Sequence, residues 1–570
     1  MIGNWVDWVD WVDEYAPINP INLINLPKNG KITLMASKIT VRPIVESDLE
    51  AIRSLFYRCY GENYPYTEFY SDEWLKRSIY GDSYLSLLAE MNGEVVGTAS
   101  VYFEVGAYTD LCGEFGRLAV DPAYRSEGVG SALMGARLEF AEKRLHFGLA
   151  ECRTAHPYAQ RISHKFGFQP IGFLPQKVLL TDRESLVLTA QLFGPARQLR
   201  RNNPRVIPEA FLLGQYALHN LGLESDLIAV DDAAGYPIGT GFEVEELTES
   251  GLSSLLRIER GRLSRRHVFG NLQLTYGIFL LQTRNSYYLV ARENGRIVGA
   301  IGFTVDTIGR SIKVLELIDL RDDIAGFLLK ELDNWAQSRY KAEYIEITVS
   351  AYWPNIQRTL SNLGFVPVAY CPSFVFHEVE RLDTIKFAKV YIPLNIDQVK
   401  LTEESRPIYE LVRQGFEEKR LGLLVNETNR RIGIFQGLEE GELTKIAGLC
   451  TIAGYSAGDV ILEAGKIGEQ FFIVIEGQIN ILARDDNTVI GHVHVGDFLG
   501  EIALVSQQPY GAKAVAASAV QLAAVKNQDF ENLINRYPRI GMNVMRNIAI
   551  SLGQKLADLD ERFYRGVLGQ

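Results

Sequence analysis

Cysteine is scarce in these 570 residues, and the five present, Cys59, Cys112, Cys152, Cys371 and Cys450, lie far apart with no C-x-x-C pair. Such spacing argues against a zinc site or a disulfide framework, and no metal is expected. Long apolar runs are also missing: no uninterrupted stretch approaches the roughly 20 residues that span a bilayer, and the first residues are acidic where a secretory leader would be basic. Positive charge is in deficit, with 58 Lys and Arg against 70 Asp and Glu and a net charge of −12, which gives no general attraction to nucleic acid or anionic lipid. The expectation is a soluble, cytoplasmic protein of a reducing compartment, partnered by neither nucleic acid nor membrane. Composition leaves the oligomeric state open.

What is present is globular, 47% apolar and 22% charged. At about 150 residues per domain, the length predicts three to four domains. Residues 1–37 read as low complexity, with Trp-Val-Asp three times from Trp5 to Asp13. A tryptophan every third residue makes a sticky stripe for a partner; sequence lying upstream of a true start at Met35 explains it equally.

Over residues 38–196 the pattern becomes a strand (Ile39 to Arg42) and then a helix with apolar Leu49, Ile52, Leu55 and Phe56 on one face. A hairpin turning at Asn92-Gly93, a strand Phe115 to Val120, a Gly-containing loop and a helix from about Val129 to Arg144 follow. This is an α/β order. After a connector over 197–240 it returns over 241–395: a strand from Phe242, a helix Leu252 to Ile258 and a hairpin turning at Asn294-Gly295. Val298-Gly299 echoes Val96-Gly97, and Leu363-Gly364-Phe365 echoes Phe166-Gly167-Phe168. Two tandem copies of one fold with mixed central sheets are expected. A helical linker over 396–432 leads to 433–570. There, turns at Gly458-Asp459, Gly465, Glu476-Gly477, Asp485-Asp486-Asn487 and Gly496-Asp497 separate the short strands of a β-roll, and Asp529 to Arg562 reads as one or two helices.

The first chemical constellation is Arg125-Ser126-Glu127-Gly128-Val129-Gly130, placed between a strand and a helix. Glycine lets the main chain approach a ligand, and N–H groups at a helix start cradle a diphosphate. Taken alone, the hexapeptide also fits an ordinary loop with a solvated arginine. Leu118-Ala119-Val120-Asp121-Pro122-Ala123-Tyr124-Arg125 runs into it, and Gly167-Phe168 follows later. On these motifs, Ile39 to about Phe193 resembles the GNAT superfamily, whose members transfer an acyl group from coenzyme A to an amine.

That resemblance implies an acetyl-CoA site made by Leu118, Ala119, Val120, Arg125, Ser126, Glu127, Gly128, Val129, Gly130 and Ser131. It implies that the Leu118 amide polarises the thioester carbonyl. Glu114 matches the position of the strand glutamate that serves as base, which an amine of pKa about 10.4 requires at neutral pH; a solvated strand-edge carboxylate is the alternative reading. The tyrosine that many members carry as acid is Ser163 here, which leaves Tyr158, His156 or water. Aligning the two Gly-Phe turns puts Asp322 opposite Arg125, Ala325 opposite Gly128 and Phe327 opposite Gly130. The second copy is therefore expected to be degenerate, with coenzyme A repelled and obstructed.

Tyr455 to Ile461, Gly465, Phe471 to Gly477 and Gly496 to Leu504 resemble the cyclic-nucleotide-binding domain of bacterial cAMP receptors and protein kinase A regulatory subunits. The resemblance implies Glu501 on a ribose hydroxyl and the cassette amides of Gly500, Ile502 and Ala503 near the phosphate of cAMP or cGMP. The family's phosphate-pairing arginine follows the cassette proline; here Pro509 is followed by Tyr510, and Lys513 is the nearest stand-in. The missing charged hydrogen bond is worth about 1.5–3 kcal/mol. No helix-turn-helix follows the last helices, which disfavours a DNA-binding role. Together the resemblances imply an acetyl-CoA-dependent N-acetyltransferase for a primary amine, protein lysine being the acceptor guess, under allosteric control by a cyclic nucleotide. A non-catalytic CoA- or nucleotide-sensing scaffold is the alternative.

Overall fold

The computed structural model describes residues 32–33, 39–62, 66–103, 105–180, 182–261, 266–271, 274, 285–396, 398–429, 433–438, 440–447, 449–483, 488–506 and 508–568. The Trp-Val-Asp repeats and the turn at Asp485-Asp486-Asn487 lie outside them. Contacts divide the chain into two compact units, Met1–Thr359 with Pro367–Glu410, and Leu360–Val366 with Leu411–Gln570.

The first unit opens with β1 (Ile32–Thr33), β2 (Ile39–Pro43), α1 (Leu49–Tyr60), α2 (Asp72–Tyr80), β3 (Tyr84–Met91), β4 (Glu94–Tyr102) and β5 (Cys112–Val120). It continues with α3 (Val129–Ala141), β6 (Phe147–Arg153), α4 (Tyr158–Lys165), β7 (Gln169–Leu179) and β8 (Arg183–Leu192). The apolar spacing of α1 buries Ile52, Leu55 and Phe56, and Gly61, at φ 75°, ends the helix. Ser71 caps α2, its hydroxyl accepting from the Trp74 amide at 3.2 Å. Ile52, Phe56 and Leu75 then close over Leu88 and Ala119, each large aliphatic or aromatic side chain contributing about 1.5–3 kcal/mol by burial.

After β9 (Arg205–Val206), α5 (Pro208–Asn220) and β10 (Ile228–Ala229), the order repeats. β11 (Glu243–Glu246), α6 (Glu249–Gly261), β12 (Ser286–Glu293), β13 (Arg296–Asp306) and β14 (Ser311–Asp319) precede α7 (Asp322–Ser338). β15 (Tyr344–Ser350), α8 (Pro354–Asn362), β16 (Val366–His377) and β17 (Glu380–Val390) follow. Both copies share one sheet in the order β1-β2-β3-β4-β5-β6-β8-β7-β16-β17-β15-β14-β13-β12-β11, which, β1 aside, reads the same way from either end toward its middle. At the joint Gly172 of β7 pairs with Ala369 of β16, so closely that a Cβ on Gly172 would stand 2.2 Å from that of Ala369.

The helix α9 (Arg406–Asn429) leads to α10 (Glu440–Ala447) and eight strands: β18 (Cys450–Tyr455), β19 (Val460–Leu462), β20 (Gln470–Glu476), β21 (Ile479–Leu482), β22 (Val489–Val493), β23 (Phe498–Leu499), β24 (Lys513–Ala516) and β25 (Val520–Lys526). They form two four-stranded sheets, β18-β25-β20-β23 and β19-β24-β21-β22. The two-residue period of β20 serves two cores. Phe471 and Ile473 pack with Phe530, Ile540 and Val544 of α12 (Asn527–Arg536) and α13 (Pro538–Leu568), while Phe472 and Val474 face Leu499 and Leu522. The whole is an α/β chain of tandem copies with a mixed sheet, followed by a β-roll with C-terminal helices, as expected from sequence.

Candidate functional site

The first site grows from the middle of β5. Among the described residues β5 pairs with β6 in parallel only at Cys112–Phe147, Gly113–Gly148 and Glu114–Leu149; beyond Glu114 the two strands part. On its other edge β5 pairs with β4 through a bulge. Thr98 faces Ala119 and Ser100 faces Gly116, so Arg117 and Leu118 together oppose Ala99. Arg117 takes φ 53°, a conformation uncommon for a residue with a side chain. Leu118 thus stands at a break in one ladder and above the opening of the other.

From Val120 the chain turns through Pro122–Tyr124. The Asp121 carboxylate accepts from the Ala123 amide at 2.9 Å and from Arg58 Nε at 2.5 Å. Tyr124 donates its hydroxyl to Glu94 at 2.7 Å. Arg125, Ser126, Glu127 and Gly128 are exposed, Ser126 has φ 75°, and Gly128, at φ 87°, is the N-cap of α3. A Cβ on Gly128 would meet nothing within 4 Å, so the backbone angle alone calls for glycine there. Gly130 is different: a Cβ would lie 2.8 Å from Ile162 Cδ1, so this glycine seats α3 against α4. Sequence had grouped both as diphosphate contacts. The first-turn amides of Val129, Gly130 and Ser131 lack partners within the helix, as helix starts do, and Ala119, Val120 and Leu118 line the strand leading to them.

Glu114 is half-buried. Burial pushes its carboxyl above the ordinary carboxylate range, Glu151 adds to the rise, and Arg117, Lys177 and Lys313 oppose it. Gly116 gives the carboxylate room, since a Cβ there would lie 3.0 Å from Glu114 Oε1. Behind it lies a buried charge array that both copies build. Lys177 Nζ stands 2.6 Å from Glu151 and 3.1 Å from Glu346, and Lys386 lies 3.8 Å from Glu346. Despite its burial, Glu346 is held well below the carboxylate range by Lys177, Lys386 and Lys313.

The acid candidates separate. Ser163 is buried and faces Cys152 at 3.3 Å, inside the core. The rings of His156 and Tyr158 lie 5.0 Å apart at a 33° tilt; burial, then Arg153, lowers the His156 imidazole pKa, while Tyr158 is exposed.

The second copy departs from the sequence alignment. Gly97 packs under Val129 and Leu133, and Gly299 under Ile324 and Leu328, which matches Val129 to Ile324. Gly97 pairs with Val120, and Gly299 with Asp319. Eight residues lie between Val120 and Val129; four lie between Asp319 and Ile324. The expected pairing of Asp322 with Arg125, Ala325 with Gly128 and Phe327 with Gly130 is therefore wrong by two positions, because four loop residues are missing. Phe327 instead packs on Phe242 at 5.2 Å. The loop is shortened away rather than filled by side chains.

In the β-roll, Gly500 (φ 87°) joins β23 to α11 (Glu501–Ser506), with Glu501 buried and Ile502 exposed. The Leu504 amide bonds to the Gly500 carbonyl at 3.2 Å across the Ala503 turn. Tyr510 donates to the Gln470 carbonyl at 2.7 Å, beside Gly500. Lys513 lies on β24 opposite Leu482, and its charge acts on Glu463. Sequence reasoning missed Arg117 and Gly116; a bulge leaves no signature in residue type.

Comparison with known proteins bears on both halves. Residues 49–168 match the family model described as Acetyltransferase (GNAT) family, and residues 453–537 that described as Cyclic nucleotide-binding domain. The chain is 30% identical over 115 residues to a cyclic nucleotide-gated potassium channel of Rhizobium etli, covering 20% of this chain and 32% of the channel. It is 30% identical over 105 residues to a cAMP-dependent protein kinase regulatory subunit of Colletotrichum orbiculare, covering 18% and 27%. The chain spans about a third or less of the length of these curated relatives. A solved cyclic nucleotide-binding domain from Methylobacillus flagellatus aligns with 17% identity and a TM-score of 0.24 over 26% of this chain and 84% of that one. Among the described residues no helix is long and apolar enough to cross a membrane, and no cluster of three or more metal-ligating side chains occurs. The chain thus matches the acetyltransferase (GNAT) family model over residues 49–168 and the cyclic nucleotide-binding domain model over residues 453–537.

Proposed function

We propose that the first copy is an acetyl-CoA-dependent N-acetyltransferase acting on a primary amine, and that the β-roll regulates it on binding a cyclic nucleotide. The observation that carries this is the parting of β5 from β6 beyond Glu114, directly before a helix start whose N-cap Gly128 leaves open space. Acetyl-CoA supplies the activated acyl group; Val129, Gly130 and Ser131 amides, with Arg125, Ser126 and Glu127 beside them, suit its diphosphate, and Ala119 and Val120 its pantetheine arm. The Leu118 amide donates to the thioester oxygen. Glu114, whose burial raises its proton affinity, takes the proton of the acceptor ammonium.

A scaffold reading has one observation in its favour, the inward Ser163 where a proton donor is expected. Titration with acetyl-CoA, followed by thioester turnover with small amines and lysine peptides, with and without cAMP or cGMP, separates the two. Binding with turnover supports the enzyme, and binding without turnover across a broad panel supports the scaffold. Regulation requires turnover to change with nucleotide, since a ligand with equal affinity for both states shifts nothing.

A further inference from the structure

Arg117 is no part of the proposed acetyl-CoA site and touches the proposed base only through its charge, which opposes the burial-driven rise of the Glu114 carboxyl, yet the fold goes to some length to place it. It sits in the β5 bulge at φ 53°, a conformation that persists where surrounding structure enforces it. Its guanidinium carbon lies 4.9 Å from the ring of Tyr84, 5.5 Å from Tyr102 and 5.7 Å from Trp74. Rings satisfy the face of a guanidinium but give nothing to the N–H groups in its plane. Two of these, Nε and Nη1, are buried with no hydrogen-bond partner among the described residues.

The second copy provides an internal control. Counting back three residues from the paired Val120 and Asp319 reaches Arg117 and Glu316. Glu316 is 1% exposed and fully engaged by its own chain: it accepts from Tyr288 Oη at 2.5 Å, from the Leu274 amide at 2.5 Å and from Arg266 at 3.5 Å. One copy closes this position on itself, and the other holds there a cation with two buried N–H groups that have no hydrogen-bond partner among the described residues.

We infer that Arg117, boxed by Trp74, Tyr84 and Tyr102, binds an anionic group of the acceptor, so that the substrate is a small amine bearing a carboxylate or phosphate. This rests on the acetyltransferase reading of the same copy. Guanidinium N–H groups donate charge-assisted hydrogen bonds to either anion. Glu114, near enough for Arg117 to act on its titration, receives the ammonium end, so the amine and the anion of one molecule are read by neighbouring residues of opposite charge.

The test uses the full chain with matched acceptors: glycine against glycinamide, glutamate against its diamide, O-phosphoethanolamine against ethanolamine, and a lysine peptide with neutral flanks. The anionic member of at least one pair should be acetylated with the lower KM, the pair identifying carboxylate or phosphate. Arg117→Gln should raise that KM roughly tenfold to a hundredfold, leave acetyl-CoA affinity by calorimetry unchanged and leave the neutral member's KM unchanged; Arg117→Lys should recover part of the loss. Equal KM within every pair, a preference for the lysine peptide, or no acetylation of any anionic member overturns the inference. If acetyl-CoA itself fails to bind, the acetyltransferase reading has failed; if it binds and neutral amines turn over with a KM no higher than that of their anionic partners, only the Arg117 inference has.

Discussion

Gly128 offers the sharpest test of the coenzyme cradle, because the structure isolates a single cause for glycine there. Its φ is 87°, and a Cβ would find no atom within 4 Å. Gly128→Ala therefore adds no clash in the free protein and one defined penalty, roughly 1–2 kcal/mol for an L-residue in the left-handed region. An unliganded loop escapes that penalty by relaxing; a loop holding a diphosphate must restore the angle. Acetyl-CoA affinity should fall by roughly fivefold to thirtyfold, with little change in melting temperature. Gly128→Asn, which tolerates the angle better, should recover most of the affinity. Gly130→Ala should do the reverse, lowering stability by about 1 kcal/mol through Ile162 while costing less affinity. Calorimetric titration of the three variants, with thermal denaturation of each, decides the matter. Unchanged affinity in Gly128→Ala refutes the cradle.

Glu114→Gln should slow turnover about a hundredfold and abolish the acid limb of the pH–rate profile, which lies above the ordinary carboxylate range because burial raises that carboxyl. A folded-state pKa above the unfolded one contributes stability below it that is lost as pH rises through the folded value, so the same variant should be more stable than the parent at neutral pH; an unaltered rate profile removes Glu114 as base. Gly172→Val forces a side chain into backbone, with Ala369 Cα and the Val368 carbonyl both 2.7 Å from the new Cβ. It should lose about 2–3 kcal/mol, only partly regained with Ala369→Gly, and an unshifted calorimetric transition contradicts the joint. Tyr510→Arg should raise cAMP affinity roughly tenfold to a hundredfold by titration; no gain means that the cassette does not hold a phosphate there.

Local patterns carried much of this into the sequence. The α1 face, the two Asn-Gly hairpins and the glycine loop before α3 each depend on residues a few positions apart, and backbone angle or periodicity translates directly into residue type. What stayed hidden depends on partners far along the chain. Nothing in the residues around Gly130 reveals that Ile162 fills the space above it. The four-residue shortening before α7 could be seen only once Gly97 and Gly299 were both found under their helices. Arg117 looked like any strand arginine, because its bulge comes from the pairing of Thr98 and Ser100 rather than from its own neighbours. Ser163 was read as a missing acid, but its inward direction, set by Cys152, is a three-dimensional fact.

The ladder that crosses from β7 to β16 has a meaning for why the shortened copy persists. A sheet that stopped at β7 would present a row of bare main-chain donors and acceptors, a template on which strands of other molecules assemble. β16 meets that edge, where Ala369 pairs with Gly172. A copy with a shortened loop is thus still the guard rail of its neighbour, and shedding it would leave that edge open to self-association.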